Sequence, residues 1–260
     1  MIGSADHTAY DLRFRLLDIP VRVNPWFWLV MLIFSGEYSG PQVSKLTASL
    51  AFLACGFVSL LAHEFGHALS SRLVGVEPTE VVLYGMGGYC AFGGWHRGRR
   101  ERAFVIFCGP AAGFLLFFTV LLGAVSAWNA SPLDLFRLIG VGNGTDDFPL
   151  VVRRMLQNEL AGIVVWRLLL INFWWGVLNL IPIWPLDGGR LAEVGLGAVN
   201  PRDGQRWTHT ISLVCAGGLA LWYASSEEYW MAVWFGYFGY INYKILESFR
   251  SPFRMSDGWR

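Results

Sequence analysis

The sequence predicts an α-helical membrane protein of about six transmembrane helices with a small membrane-associated β element. Three observations predict it. Hydrophobic residues make up 54% of the 260-residue chain and charged residues only 15%, against roughly 25% charged in ordinary soluble domains. The apolar residues gather into separate runs, several of them close to the roughly 20 residues that a helix needs to cross a bilayer. Between two of those runs, alternating and β-branched residues flank Gly85-Met86-Gly87-Gly88, the pattern of a hairpin.

Taken in order, the first 24 residues are polar to mixed. Leu12-Arg13-Phe14-Arg15-Leu16 and Val21-Arg22-Val23 alternate as short strands do, with Pro20 breaking the pair. Asp6, Asp11 and Asp18 precede any apolar run, which does not fit a cleavable signal peptide. The six expected spans begin with Trp26 to Phe34, short but extendable towards Tyr38, and Leu46 to Val74. Then come Ala103 to Trp128, and Leu168 to Trp184 after a mixed stretch from Pro149 along the interface. Ile211 to Ala224 and Tyr229 to Leu246 complete the set, parted by Ser225-Ser226-Glu227-Glu228. This divides the chain into an N-terminal cytoplasmic segment (1–24), a six-span membrane domain (25–247) and a cytoplasmic tail (248–260). The longest connection, 129 to 159, leaves no room for an inserted globular domain, and the tail is too short for a regulatory one.

Charge sets the expected orientation. With six spans both termini share one side, and that side collects 15 arginines and lysines against 4 on the other. The bias places the termini in the cytoplasm. Arg167 falls at the outer end of the fourth span and reads as an interface anchor. A net charge of +1 gives no global field to attract nucleic acid. The four cysteines form no Cys-x-x-Cys pair and read as reduced packing residues.

The chemistry concentrates in His63-Glu64-Phe65-Gly66-His67. Residues four apart share a helix face, so both imidazoles can address one ion, and Glu64 is placed to take a proton from water beside it. Zinc lowers the pKa of such a water to about 7. The motif lies in an apolar run, where each ionisable group is costly and a divalent metal compensates; the plainer alternative is a polar helix end leaving the membrane. A catalytic zinc needs a third protein ligand. Asp187 is the best candidate, in Asn179-Leu-Ile-Pro-Ile-Trp-Pro-Leu-Asp-Gly-Gly-Arg190. Pro182 and Pro185 end the fourth helix there, and Gly188 and Gly189 permit close approach of the chain. The alternative for Asp187 is the cap of a cytoplasmic helix.

With these residues in place, the chain resembles the site-2 protease family of intramembrane zinc metalloproteases, which pairs a His-Glu-x-x-His helix with a later Leu-Asp-Gly segment. The resemblance covers roughly residues 10 to 250. It implies one zinc held by His63, His67 and Asp187, with Glu64 as general base. It also implies that Asn179 stabilises the oxyanion or orients substrate, against the alternative of a helix-to-helix hydrogen bond. Gly109-Pro110-Ala111-Ala112-Gly113 resembles the family's Gly-Pro segment, with Gly at 113 where relatives often carry Asn; close helix contact explains it best. The inserted peptide-binding domain and C-terminal nucleotide-sensing pair frequent in the family are missing, so this resembles a compact form.

The implied reaction is hydrolysis of peptide bonds in or near transmembrane segments of partner membrane proteins. A helical substrate hides its amides, so it must be extended first. Val81 to Tyr84 and Tyr89 to Phe92, joined by the glycine-rich turn, offer a strand edge, with Tyr89, Ala91 and Phe92 as pairing positions; a purely structural hairpin is the alternative. Trp95-His96-Arg97-Gly98-Arg99-Arg100 binds lipid head groups or an acidic partner, or simply orients the chain. His96 and His209 fall outside ligand spacing, at loop or interface positions. Besides substrate and the lipid bilayer, a separate regulatory membrane protein is an expected partner, and nucleic acid is not. Two other functional classes fit the sequence less well. A metal transporter needs polar sites on both sides of the midplane, and the remaining runs offer only Asn172 and Asn242. A catalytically dead scaffold has no use for Glu64.

Overall fold

The computed structural model describes residues 6–36, 44–94, 98–140 and 159–250. Eight helices and four strands are defined among them. The chain separates into two compact units, Met1–His96 with Cys108–Gly176, and Arg97–Phe107 with Val177–Arg260.

The first unit begins with β1 (Leu12–Leu16) and β2 (Ile19–Val23), joined by Leu17 and Asp18. Both turn residues have positive φ, 49° and 61°, the requirement of a two-residue hairpin turn whose twist matches its strands. Asn24 caps α1 (Pro25–Phe34), its side chain accepting from the Trp26 amide at 3.0 Å, with Pro25 at the first helical position. Ser44 likewise caps α2 (Lys45–Leu73) by accepting from Thr47 at 3.1 Å. The helix stops where Gly75 takes a φ of +77°. Next come β3 (Pro78–Tyr84) and β4 (Gly87–Phe92). The strands form one sheet in the order β1-β2-β3-β4, antiparallel except for β2 with β3. A parallel pair cannot be joined by a tight turn; α1 and α2 supply the crossover.

Pro20 does not break the strand pair as the sequence predicts. It lies inside β2 opposite Arg15, and the ladder to β3 starts only at Val21, so its missing N–H is not needed there. Ile19, Val21 and Val23, two residues apart, point to one face and pack with Val81 and Leu83 against Phe27, Leu60, Phe65 and Ala68. That packing seats the sheet on the part of α2 that carries the histidines. On the other face Arg22 is 2% exposed. Its guanidinium pairs with Asp11 and Glu80, each at 3.3 Å, and donates to the Tyr89 hydroxyl at 3.4 Å.

The same unit contains most of α3 (Arg99–Trp128), then α4 (Pro132–Gly140) and most of α5 (Glu159–Leu180). Phe117, Leu121, Leu135, Ile139 and Leu169 make their shared core. Arg167 is not the exposed anchor that its position suggests. It is 8% exposed, stacks on the rings of Phe52 and Trp166, and donates to the Ser35 carbonyl at 3.3 Å. Buried aromatic faces and a carbonyl hold the guanidinium inside the unit.

The second unit holds α6 (Asp187–Val199), α7 (Gly204–Ser225) and α8 (Tyr229–Arg250). The last two form an antiparallel pair through Phe235, Phe238 and Tyr223, whose ring stacks on Phe235 at 5.6 Å. Among the described residues, three helices are long and apolar enough to cross a membrane: Lys45–Leu73, Arg99–Trp128 and Leu160–Leu180. The fourth expected span ends at Leu180, earlier than Trp184, because Pro182 and Pro185 follow. The first expected span is a helix of only 10 residues. The fifth and sixth are helices of 22 residues each, the fifth carrying Trp, Tyr, Ser and Thr and the sixth rich in Trp and Tyr. The stretch from Pro149 to 158, the loop 95–97 and the tail from 251 lie outside the described residues.

Asp11 reports on the Arg22 cluster. Burial works against its charge, but hydrogen bonds from Thr8 and Arg22 prevail and hold its pKa at about 2, below the usual 3.8. A depressed carboxylate contributes stability that is complete above the unfolded pKa and is lost as pH falls through the folded one. Wild type should therefore lose more stability than Asp11→Asn between about pH 4 and pH 2, measured by hydrogen exchange of β1 and β2 in detergent. Arg22→Met should destabilise the sheet by about 3–5 kcal/mol, since it strands two carboxylates, read by thermal unfolding.

Candidate metal centre

His63 and His67 lie one turn apart on α2, and both are buried, at 2% and 6% exposure. Their Nε2 atoms face each other at 3.3 Å, with the ring planes 82° apart. Two nitrogens held 2.0–2.1 Å from one ion at a tetrahedral angle would be about 3.3 Å apart, so the pair is spaced as zinc requires. Imidazole is also a donor of the right chemistry for that ion.

Close helix contact places these rings. A Cβ on Gly66 would overlap the Cys108 carbonyl on α3, and one on Gly109 would overlap the His67 ring. The small residues expected to let helices approach do so here, and the crossing point is the turn that carries the two histidines. Two further polar ties flank the histidines on α2. Asn172 of α5 donates to the Ser59 hydroxyl at 2.8 Å, one turn before His63, and Ser70 donates to the Gly66 carbonyl at 2.7 Å.

Glu64, 4% exposed, faces the sheet. A Cβ on Gly88 would come within 2.6 Å of its Oε1, so the start of β4 rests on the carboxylate, which would have to shift for any larger residue there. Gly87 has a φ of +120° and abuts the Trp175 ring. Cys90 on the same strand is raised above its ordinary pKa by burial first and by the Glu64 charge second, which keeps it an inert thiol. All four cysteines are free.

Asp187 is the first residue of α6, behind an N-cap at Leu186, and is 4% exposed. The helix N-terminus favours the ionised carboxylate. Gly188 and Gly189 let that first turn fold back on Leu180, Ile181, Ile183 and Trp184; a Cβ on either would overlap their backbone. Trp184 hydrogen-bonds through its N–H to the Ser212 hydroxyl at 2.9 Å and through its carbonyl to the Asn242 amide at 2.7 Å. His63, His67 and Asp187 each offer one ligand atom, and these atoms lie within 4.8 Å of one another, a group able to hold one metal ion.

The remaining expected residues fall as follows. Asn179 is buried in the last turn of α5. Tyr89 and Ala91 pair with Val82 and Glu80 across the β3–β4 ladder, and Phe92 closes it opposite Pro78. His96 lies outside the described residues. His209 is not in a loop: it is 3% exposed within α7 and bonded to Asn242 at 2.7 Å. Sequence reasoning missed Gly88, Ser212 and the role of Asn242. The only signal was that polar or side-chain-free residues stand in otherwise apolar surroundings. A cavity of about 240 Å³ in the second unit, lined by Arg99, Arg102 and Glu193 among others, includes none of the three donor residues.

Three comparisons bear on this site. The model of Peptidase family M50 matches residues 51–221. Among curated proteins, the chain is 34% identical over 170 residues to Rip3 of Mycobacterium tuberculosis, covering 65% of this chain and 37% of that protein. It is 27% identical over 183 residues to zinc metalloprotease MJ0392 of Methanocaldococcus jannaschii, covering 70% of this chain and 44% of the relative. The chain thus spans less than half the length of these relatives. Among solved structures, a site-2 protease from Methanocaldococcus jannaschii matches with a TM-score of 0.55 at 19% identity, over 96% of this chain and 100% of that one. At that identity the likeness establishes the fold.

The α2–α3 crossing yields a direct test. Gly109→Ala should push the His67 ring aside and weaken divalent-metal binding at least tenfold, a loss on the scale of disrupted metal support. Gly113→Ala, whose Cβ would meet Asn172 atoms no closer than 3.8 Å, should leave binding unchanged. Chelator competition on the two purified variants checks both.

Proposed function

The chain belongs to peptidase family M50, and on that premise we propose that it is a zinc endopeptidase acting within the membrane. Its substrates in this reading are partner membrane proteins, cut in or near their transmembrane segments. The observation that carries the reading is the buried donor group of His63, His67 and Asp187 beside Glu64, on a helix apolar and long enough to cross a bilayer.

His63, His67 and Asp187 would hold the metal. A bound zinc would supply a Lewis acid and a water whose pKa is lowered to about 7. The chain's own residues do the rest. Glu64 accepts a proton as the water oxygen bonds to the peptide carbon. It then returns that proton to the amide nitrogen as the carbon–nitrogen bond breaks, leaving a free acid and a free amine. Its burial among Gly88, Cys90 and α2 keeps bulk water off the carboxylate. Asn179 holds the substrate carbonyl through its side-chain amide in the same proposal. β4 is the last strand of the sheet, with β3 as its one strand neighbour among the described residues. Tyr89, Ala91 and Phe92 therefore offer an edge to which an unwound substrate segment can add, next to the base.

The topology proposed with this function has six spans, α1, α7 and α8 joining the three helices of sufficient length and apolarity, with both termini in the cytoplasm. Residues 1–24 then form the cytoplasmic segment, 25–247 the membrane domain and 248–260 the tail. The arginine and lysine bias supports that orientation. The membrane substrate and the bilayer are the partners, with a separate membrane protein as regulator.

Glu64→Gln should keep one zinc per chain and lose cleavage of a membrane-peptide substrate by a factor of about 10² to 10⁴. Asp187→Ala should lose both zinc and activity. Zinc analysis and a cleavage assay on the purified proteins separate a protease from a transporter or scaffold, which would show no Glu64-dependent cleavage. Proline at Tyr89, Ala91 or Phe92 should abolish cleavage with zinc retained, because a fixed φ and a lost amide disrupt the strand to which substrate would add. Full cleavage by all three variants would end the strand-addition proposal.

A further inference from the structure

The segment between α5 and α6 carries a burden that its own residues cannot meet. Pro182 and Pro185 lack amide donors and interrupt helical bonding, which frees backbone groups at membrane depth. Within the turn, the Ile183 amide donates to Ile181 at 2.7 Å and the Leu186 amide to Ile183 at 2.8 Å. The rest is met by side chains of α7 and α8. The Ser212 hydroxyl accepts from the Trp184 amide at 2.9 Å and donates to the Pro182 carbonyl at 3.2 Å. The Asn242 amide donates to the Trp184 carbonyl at 2.7 Å and to Phe238 on its own helix at 2.8 Å.

These bonds also fix the protonation of the third member. Both Asn242 amide hydrogens are used, so its oxygen can only accept, and the 2.7 Å contact to His209 requires Nδ1 of the imidazole to donate. The His209 ring lies edge-on to the Trp184 indole, 5.6 Å between centroids. Ser212 and Asn242 are 0% exposed and His209 is 3% exposed. The three groups meet on one residue, Trp184, three positions before Asp187.

We propose that His209, Asn242 and Ser212 are positioning residues for the Asp187 carboxylate: they lock the turn Ile181–Leu186 and thereby set the affinity of the metal centre. The inference rests on the reading of Asp187 as a zinc ligand and adds its supporting shell. His209 acts through Asn242, and Asn242 and Ser212 act through the Trp184 and Pro182 backbone. None of them touches substrate or metal.

The test uses the full chain in detergent and measures the zinc dissociation constant by competition with a chelating dye, alongside thermal stability. Ser212→Ala, Asn242→Ala and His209→Leu should each raise the constant by about ten- to a hundredfold, the usual effect of losing an outer-shell partner. His209→Asn should restore affinity to about threefold of wild type, since its amide presents a donor where Nδ1 stood. Because the His209 hydrogen bond acts through Asn242, the His209→Leu/Asn242→Ala double variant should lose less affinity than the two single losses combined. Folded variants that bind zinc as tightly as wild type, even if they melt earlier, would overturn the proposal and leave the network a packing role. So would failure of every variant, His209→Asn included, to accumulate folded. Wild type that takes up no zinc would instead overturn the metal reading itself, and that control is read first.

Discussion

Two imidazoles turned towards each other on a buried, apolar helix are the constraint around which the rest is built. Nitrogen lone pairs and carboxylates in such a place are costly unless something meets them. The 3.3 Å separation of His63 and His67 Nε2 suits a shared ion. It persists only because neighbouring elements leave the rings no other place to go. Gly66 and Gly109 bring α3 into backbone contact at that turn, and the His67 ring fills the space that a Cβ would take. Removing side chains at these two positions is what makes the packing there dense enough to hold a geometry.

The sheet serves the same turn from another direction. Its apolar face, through Val21, Val23, Val81 and Leu83, packs on Phe65 and Ala68, which are interspersed with His63, Glu64 and His67 along α2. Its opposite face is tied by Arg22 to Asp11, Glu80 and Tyr89. The parallel pairing of β2 with β3 links a strand before α1 to one after α2. The whole crossover is therefore braced, and the Gly88 backbone can stand against Glu64 without drifting. A carboxylate in contact with a glycine of a braced strand keeps its orientation at little conformational cost.

The Leu-Asp-Gly segment shows how irregular backbone is tolerated in apolar surroundings. Two prolines remove helical bonding, and α7 and α8 return the lost partners through one hydroxyl and one carboxamide. The same prolines that release the chain from helix make it depend on distant side chains for its shape. In α6, Gly188 and Gly189 then let the first helical turn close on the segment before it.

What could be read from sequence alone was what depends on neighbours along the chain. His63, Glu64 and His67 were legible because a helix converts a spacing of four into a shared face. The β3–β4 hairpin was legible in its turn glycines, whereas the caps Asn24 and Ser44 of α1 and α2 emerged only from the structure. Asp187 stood out because an acid flanked by prolines and glycines is rare in an apolar run. Pro20 misled, since its cost depends on which side of the strand has a partner, and that is set by where β3 lies. Arg167 misled for a like reason: a snorkelling cation and one stacked on Phe52 have the same local sequence. Gly88 against Glu64, and His209, Asn242 and Ser212 around Trp184, were decided only by the tertiary fold. Each of those contacts joins residues at least 24 positions apart. Nothing in local spacing encodes such a meeting; it exists only once packing has brought the elements together.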